Sequence, residues 1–371
     1  MTEATTQVKS SDQFIDQAKT LRSSDAFDMQ AVHDWLTNQG IELGSELPEV
    51  KQFSGGASNL TYHLKYPDNI EGGDLILRRP PAGHKAASAH DMKREFNVMQ
   101  GLKPVYPFVP DMIAFCDDQS IIDCDFYVME RLHGIIPRNN FPRGMKLSAT
   151  ENRNFSISVL DKLIDLHKVD YQAAGLDNLG KGQGYVKRQV DGWSGRYTKA
   201  KTWNVPSFNK TMDWLSRNQP DDVATCIIHN DYRMDNVVLD PKDPQNIIGV
   251  LDWEMATLGD PLMDLGSSLA YWVQDDDDWF LRQIRRQPTH LEGMLKRDEV
   301  VDYYCDKMGF DKSQWAFYEV FGLFRLAVIV QQIYYRYHHK QTDNPTFKNF
   351  WLIVNYINWR CKKIIKHSGM K

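Results

Sequence analysis

The chain has 371 residues and a formal net charge of −5, so it is long enough for two lobes or two domains around a large core. The small net charge argues against a nucleic-acid binder. Five scattered cysteines without metal-ligand spacing favour ordinary thiols in a reducing cytoplasm over a disulfide framework. Residues 1–24 are polar and lack the apolar segment of a signal peptide.

The first elements follow from polarity and from the spacing of apolar residues. Residues 1–27 read as a polar extension, and we expect residues 1–24 of it to be mobile or loosely docked. In residues 28–39, Val32, Trp35 and Leu36 lie at helical spacing before Gly40, which predicts a short amphipathic helix. Apolar and polar side chains alternate over residues 60–66, which predicts a strand.

A turn of small residues precedes this strand and consists of Gly55, Gly56, Ala57, Ser58 and Asn59. Small residues at a hairpin tip let backbone N–H groups come close to a phosphate. Most turns of this composition only reverse the chain, so the turn is a candidate nucleotide-binding loop only together with motifs further along.

The segment LILRR at residues 75–79 predicts a second strand that carries candidate phosphate-binding cations. Kinases hold the α- and β-phosphates of ATP with a cation on such a strand, paired with a helix carboxylate. Arg78 is the first candidate, because a guanidinium can clamp phosphate bidentately, and a shift of one residue would make Arg79 the candidate. The alternative is a surface arginine on an edge strand.

Residues 88–102 predict a helix whose buried face carries Met92, Phe96 and Met99. Glu95 lies at the edge of this apolar face, and an unpaired carboxylate there would be costly. We therefore expect Glu95 to pair with Arg78. Residues 121–130 predict a further strand, and residues 148–169 predict a helix with a capping box at its start.

The motif IHNDYRMDNVVL at residues 228–239, followed by IIGVLDWE at 247–254, carries the predicted chemistry. Phosphoryl transfer needs a carboxylate to accept the proton of the attacking hydroxyl, and an amide and a second carboxylate to hold magnesium. Asp231 is the candidate base, and Asn236 and Asp252 are the candidate magnesium ligands. The flanking apolar runs predict short strands, which would aim these side chains into one cleft. A lone HxD would more often be a simple turn.

The stretches HNDYRMDN and VLDWEMATLGDPLMDLG resemble the aminoglycoside phosphotransferase and choline kinase superfamily. Further stretches, RRPPAGH and YVKRQVDGWSGRY, resemble one branch of it, the kinase domains related to those fused to acyl-CoA dehydrogenases. The resemblance covers residues 53–272. It implies an α+β, bilobal, protein-kinase-like fold, with an N-lobe at 28–133 built on a small antiparallel sheet and a mainly helical C-lobe at 134–371.

The resemblance also implies residue roles. Asp231 would be the catalytic base and Asn236 and Asp252 the magnesium ligands, with His229 and Asp264 mainly structural. Backbone groups near Glu130 and Leu132 would contact the adenine at a hinge. Relatives usually carry Gly where this chain has Asn230, which touches no catalytic group.

The acceptor is less constrained by the sequence. Arg233 in the catalytic loop, with Arg188 and Trp193 in the family-like segment, favours an anionic substrate such as a hydroxy acid or its CoA thioester. The acidic run at residues 275–278 would instead suit a cationic aminoglycoside, or would be a solvated loop. Any of these arginines can also be an ordinary surface residue.

These observations together predict an ATP- and Mg2+-dependent kinase that acts on a hydroxyl of a small molecule, with no nucleic-acid or membrane partner. The most apolar long segment, residues 317–335, contains Glu319 and Arg325 and predicts a buried helix rather than a membrane span. The alternatives are an aminoglycoside-type kinase and a nucleotide-binding pseudokinase without turnover. The sequence predicts no oligomeric state.

Overall fold

The computed structural model describes residues 11–53, 59–67, 70–81 and 91–370. The predictions for Gly55, Gly56 and Ser58 lie outside these residues. The described strands are β1 (Lys19–Thr20), β2 (Glu49–Gln52), β3 (Leu60–Lys65), β4 (Asp74–Arg79), β5 (Met112–Cys116), β6 (Phe126–Glu130), β7 (Cys226–Ile228), β8 (Val237–Leu239), β9 (Ile247–Val250) and β10 (Thr257–Gly259).

The described α-helices are α1 (Met29–Asn38), α2 (Met92–Leu102), α3 (Gln119–Ile122), α4 (Ala149–His167), α5 (Tyr185–Ala200), α6 (Asn209–Asn218), α7 (Pro261–Leu269), α8 (Trp279–Gln283), α9 (Arg297–Met308), α10 (Trp315–His338) and α11 (Phe350–His367). Short 3-10 helices lie at Ser11–Phe14, Ser23–Asp25, Asp177–Leu179, Met234–Asn236, Trp253–Met255 and Pro345–Asn349.

The chain divides into two compact units. The first comprises the described part of Met1–Lys146 with Ala174–Leu176 and Asp235–Glu254, and the second comprises Leu147–Ala173, Asp177–Met234 and Met255–Lys371. This division differs from the boundary at residue 133 expected from the sequence. Ile135 and Leu239 exchange backbone hydrogen bonds of 2.9 and 2.8 Å, and Val250 N donates to Phe108 O at 2.7 Å, so the β8–β9 hairpin belongs to the first unit.

The main sheet of the first unit is antiparallel, with its strands in the order β1, β2, β3, β4, β6, β5. Helix α1 begins where the Asp28 side chain accepts from Ala31 N at 3.0 Å, and its Val32 and Leu36 are buried in the same core as Tyr62 and Leu64. The amphipathic pattern of α1 therefore serves to cover the sheet. The predicted α+β class is confirmed.

Two expectations for the first unit need correction. The strand predicted over residues 121–130 begins only at Phe126, because Asp118 caps the short helix α3 and Asp123 adopts a left-handed φ of 59°. The segment expected to be mobile or loosely docked is bonded to the sheet at residues 19–22, where β1 pairs with β2 and Arg22 N donates to Gln52 Oε1 at 3.3 Å. Directly after it, Asp25 O accepts from the Tyr62 hydroxyl at 2.8 Å and from Arg79 Nη2 at 2.7 Å.

The second unit is built around helix α10, which packs against α7, α11 and α5. Helix α4 has the predicted capping box, in which Glu151 N donates to the Ser148 hydroxyl and Ser148 N donates to the Glu151 carboxylate. Helices α7 and α10 approach closely at two glycines, since a Cβ on Gly322 would lie 2.0 Å from Gly266 O. Small residues at this crossing are therefore a packing requirement.

Helix α10 is the one helix in the described ranges that is long and apolar enough to span a membrane, with a mean hydropathy of 1.4. The core helix of a soluble protein passes the same test, so this is weak evidence. Of its most apolar window, 67% is buried inside the protein, as the sequence predicted for a packed helix.

Candidate active site

A cavity of about 160 Å3 lies in the first unit and has two kinds of lining. Apolar side chains from the sheet and from the β8–β9 hairpin form one part, including Ile76, Met129, Val238 and Leu251. Polar groups form the other part, and they include four predicted site residues, Arg78, Glu130, Asn236 and Asp252. Apolar walls with a few convergent polar groups are typical of a small-molecule site.

Arg78 links two carboxylates at this cavity. Its Nη1 lies 3.2 Å from Glu95 Oε1 and its Nη2 lies 3.1 Å from Asp252 Oδ1. The expected pairing with Glu95 is therefore present. Side chains alternate along a strand, so Arg79 points to the opposite face of β4. There its Nε donates to the Tyr62 hydroxyl at 3.1 Å, which leaves Arg78 as the arginine of β4 that lines the cavity.

The charges of this group are set by burial and by neighbouring ions. Burial raises the pKa of Glu95 to about 7, and the positive charge of Arg78 offsets this only in part because Asp252 adds a negative charge nearby. Burial also opposes the charge of Arg78, but the carboxylates of Glu95 and Asp252 outweigh it and raise the pKa of Arg78 further. Arg78 is thus a permanent cation.

Asn236 and Asp252 are brought together by the backbone. Leu251 N donates to Asn236 O at 2.8 Å, and both side chains line the cavity. Asp252 has a φ of 69°, a strained conformation for a residue other than Gly, and such strain occurs often at functional sites. An amide oxygen and a carboxylate beside the guanidinium of Arg78 are a donor set that suits Mg2+, which takes few protein ligands and completes its shell with phosphates and water. The residues present therefore fit the metal.

The other predicted nucleotide-binding residues lie in the same unit. Asn59 is buried, and its Nδ2 donates to Glu254 Oε2 at 3.2 Å. Leu132 and Glu130 both line the cavity. Glu130 N donates to Asp111 O at 2.9 Å, so this N–H is already engaged within the protein. Gly249 faces Leu132, because a Cβ there would lie 2.1 Å from Leu132 Cδ1.

The loop that carries Asp231 lies in the second unit and is anchored by Asp264 of α7. The Asp264 carboxylate accepts from the backbone N–H groups of His229 and Asn230, both at 2.8 Å, and contacts His167 Nε2 at 3.1 Å. Burial alone would raise the pKa of Asp264, but these hydrogen bonds and the neighbouring histidines hold it below its usual value. His167, at the end of α4, is a buried partner of Asp264.

Asn230, the departure from the family pattern, has a left-handed backbone with a φ of 66°. Gly is the usual residue in this conformation and Asn is among the residues that tolerate it. Its side chain is also used, since Oδ1 accepts from the Tyr185 hydroxyl at 3.0 Å and Nδ2 donates to Met255 O at 3.1 Å. Its carbonyl accepts from Arg325 Nη2 at 2.7 Å. Asn230 thus ties the loop to three other segments.

Arg233 lies beside Asp231, with its Nε 3.3 Å from Asp231 Oδ1. The guanidinium of Arg233 also lies over the ring of Tyr271, 5.0 Å from its centroid. Asp231 N donates to the ring nitrogen Nδ1 of His229 at 3.3 Å, which explains the use of a histidine two residues before the aspartate. The candidate base therefore has a fixed cation as its neighbour.

The other two predicted substrate residues have internal partners. Arg188 donates to the carbonyl oxygens of Gln183 and Gly182, the latter at 2.6 Å, at the start of α5. Trp193 is only 6% exposed and lies against two guanidinium groups, Arg196 at 4.5 Å and Arg325 at 5.3 Å from its ring centroid. In the structure, these residues order α5 and support Arg325.

Sequence reasoning missed Arg325, Tyr185 and Tyr271 as supports of the loop. A signal for Arg325 was present, because it is a charge within the apolar residues of α10 and a buried charge needs a specific partner. Tyr185 and Tyr271 carried no such signal. Asp16 also lines the cavity and was missed, because nothing in the polar N-terminal stretch distinguishes it.

Comparisons with known proteins agree with this architecture. The family described as "Phosphotransferase enzyme family" (APH) matches residues 49–299, which is more than half of the chain. The chain is 35% identical over 300 residues to acyl-CoA dehydrogenase family member 10 of Mus musculus, covering 80% of this chain and 27% of that protein. It is 34% identical over 322 residues to family member 11 of Rattus norvegicus, covering 84% and 40%. The chain thus spans less than half of the length of these relatives.

Solved structures give the same fold. A crystal structure from Ralstonia eutropha JMP134, whose description proposes an aminoglycoside phosphotransferase, is 30% identical with a TM-score of 0.74 and coverages of 91% and 99%. Choline kinase from Cryptosporidium parvum Iowa II is 12% identical, with a TM-score of 0.64 and coverages of 92% and 97%. A thermostable mutant of aminoglycoside phosphotransferase APH(4)-Ia, in a ternary complex with AMP-PNP and hygromycin B, is 14% identical, with a TM-score of 0.56 and coverages of 91% and 98%. The predicted protein-kinase-like fold is confirmed, and the chain belongs to the phosphotransferase enzyme family.

Proposed function

We propose that this protein transfers a phosphoryl group from ATP to a hydroxyl of a small molecule. The observation that carries the proposal is the chain of ion pairs from Glu95 through Arg78 to Asp252 at a cavity that Asn236 also lines. Asp231 lies five residues before Asn236 in the sequence, on a loop whose backbone is held by Asp264.

The first unit supplies the groups that bind and orient the nucleotide. Apolar walls at Ile76, Met129 and Leu251 suit a purine base, and Arg78 presents a permanent cation to the phosphates. Asn236 and Asp252 would hold Mg2+, which when bound neutralises negative charge on the phosphates. Catalysis would then depend mainly on alignment and on preorganised charge.

The second unit supplies the proposed base. The Asp231 carboxylate orients the acceptor hydroxyl and accepts its proton as the oxygen attacks phosphorus. Its backbone is fixed through His229 and Asn230, so the carboxylate does not need to reorganise during the reaction.

An anionic acceptor, such as a hydroxy acid or its CoA thioester, fits the charges around Asp231 best. Arg233 lies 3.3 Å from Asp231 and can bind a carboxylate or phosphate of the acceptor. The acidic run that would favour aminoglycosides is engaged elsewhere: Asp277 pairs with Arg297 at 2.6 Å and with Arg360 at 3.4 Å, and Asp276 pairs with Lys296 at 2.9 Å. The relatives named as acyl-CoA dehydrogenases also support an acyl substrate.

The test measures ATP consumption against a panel of hydroxy acids, their CoA thioesters and aminoglycosides, with wild type and Asp231→Asn. We expect turnover with a hydroxy acid or thioester and a loss of several orders of magnitude in Asp231→Asn. Equal transfer by both forms would remove Asp231 as the base. Preference for aminoglycosides would establish that alternative, and nucleotide binding without turnover on any acceptor would establish the pseudokinase.

We also propose a cytoplasmic location. Its support is that the five cysteines, Cys116, Cys124, Cys226, Cys305 and Cys361, are buried thiols.

A further inference from the structure

The cavity of the first unit, here called the nucleotide cavity, has a polar edge to which residues 11–27, the N-terminal segment, contribute. Asp16 N donates to Gly134 O at 3.1 Å, and Asp16 O accepts from Arg131 Nη2 at 3.2 Å. The Asp16 carboxylate lies 3.3 Å from Nη2 of Arg138. Asp16, Arg131, Gly134 and Arg138 all line the cavity. A residue far from the catalytic motif therefore contributes a carboxylate to the proposed ATP site.

Contacts on both sides of the ion pair hold Asp16 in place. Arg131 is nearly buried and also pairs with Asp74 of β4, with Nη1 3.2 Å from Oδ2. Further along the segment, Arg22 N donates to Gln52 Oε1 at 3.3 Å, and Gln52 Nε2 donates to Asp25 Oδ2 at 2.8 Å. The segment is thus preorganised against the sheet, which lowers the entropy that ligand binding must offset.

The three parts of a nucleoside triphosphate differ in chemistry, as do the three parts of this cavity. The phosphates match Arg78 and a metal on Asn236 and Asp252, and the base matches the apolar walls. The sugar is the remaining part, and it carries two neighbouring hydroxyls that donate hydrogen bonds well to a carboxylate. Asp16 provides such a carboxylate, and it is 28% exposed beside Arg138, which is 50% exposed.

We propose that Asp16 and Arg138 form the ribose subsite of the nucleotide cavity, an inference that rests on the proposed function. The Asp16 carboxylate accepts hydrogen bonds from the 2′- and 3′-hydroxyls. Arg138 orients the carboxylate towards the cavity edge through their ion pair. The N-terminal segment is in this view a part of the active site, and a nucleotide without ribose hydroxyls is a poor ligand.

Calorimetric titration of the full chain with Mg-ATP and with Mg-2′,3′-dideoxy-ATP tests the proposal without any acceptor. We expect wild type to bind ATP about tenfold or more tightly than the dideoxy analogue, because a hydroxyl that bonds a carboxylate is lost. Asp16→Ala should weaken ATP binding to the level of the analogue and leave binding of the analogue unchanged. Arg138→Gln should reduce the discrimination in part.

The matched control is Asp117→Asn, a surface aspartate of the same unit that is 72% exposed and pairs with Lys93 at 3.7 Å. It should bind both nucleotides as wild type does. If Asp16→Ala fails to fold, Asp16→Asn retains the volume and should still reduce the discrimination. Equal loss of both nucleotides in an Asp16 variant, or equal binding of both by wild type, would overturn the ribose subsite. Absence of any nucleotide binding in wild type would instead overturn the proposed function and the subsite with it.

Discussion

Arg325 is a buried cation that contacts the loop of the proposed base and helix α5. It is 4% exposed, donates to Asn230 O at 2.7 Å, and lies over the ring of Trp193. Asn230 precedes Asp231 directly and has a left-handed backbone, so its carbonyl direction affects where the Asp231 carboxylate points. Arg325 is therefore a positioning residue for the proposed base.

We predict that Arg325→Met lowers kcat by on the order of 10- to 100-fold, since small misplacements of a reacting group have effects of this size. The dissociation constant of the nucleotide should not change, and Arg325→Lys should restore part of the rate. Arg336→Met, on the exposed face of the same helix, is the control. Steady-state kinetics with circular dichroism separate the outcomes: a rate loss that matches the unfolded fraction would contradict a positioning role.

The burial of Glu95 should make the free energy of unfolding of the protein depend on pH. Its pKa is raised from 4.5 to about 7 in the folded protein, chiefly by burial, so the folded state holds the proton more tightly than the unfolded chain. The contribution of protonated Glu95 to the free energy of unfolding is complete below pH 4.5 and is lost as pH rises through 7. A shift of this size corresponds to roughly 3 kcal/mol.

We predict that Glu95→Gln removes this contribution. The free energy of unfolding of the variant relative to wild type should rise between pH 4.5 and 7 and then level off. Urea denaturation at half-unit pH intervals measures the difference. A difference that is constant across this range would show that Glu95 stays ionised throughout.

The clearest constraint at the scale of elements is the crossing of α7 and α10. Gly322 and Gly266 bring the two backbones together, and any Cβ on Gly322 would collide with Gly266 O at 2.0 Å. Asp264, which anchors the loop of Asp231, lies on α7 two residues before Gly266. The packing of these helices therefore also sets the position of the loop.

Gly322→Ala should destabilise the protein by about 1–3 kcal/mol or more, because backbone atoms must move apart. The matched control is Gly195→Ala inside α5, where an added Cβ meets no atom within 4 Å. Alanine there should stabilise by up to about 1 kcal/mol, since glycine is the poorer helix former. Thermal denaturation compares the two, and equal effects would show that the crossing is not tightly packed.

At the scale of the whole molecule, ligand binding and stability are linked through the first unit. Mg-ATP at 100 times its dissociation constant should raise the free energy of unfolding of that unit by ~2.7 kcal/mol. Removal of Mg2+ with a chelator should abolish most of this gain, and Asp252→Asn should do the same. Asp117→Asn should retain the gain. Thermal denaturation with and without chelator provides the measurement, and a gain that is independent of Mg2+ would argue against Asn236 and Asp252 as its ligands.

The sequence by itself determined the local features of this protein. Strand alternation in β3, the capping box of α4 and the order of Asp231, Asn236 and Asp252 are written in short stretches, because periodicity and loop chemistry act over a few residues. The resemblance of the stretches around Asp231 and Asp252 to a known family implied the α+β class.

Only the tertiary structure decided which distant groups meet. The choice of Arg78 over Arg79 rests on a contact with Asp252, 174 residues away, and the role of Arg325 rests on Asn230, 95 residues away. Asp16 pairs with Arg138, 122 residues away, and both line the cavity of the first unit. A charged side chain in a sequence does not specify its partner, since burial and ion pairing depend on the packing of elements that the local pattern leaves open.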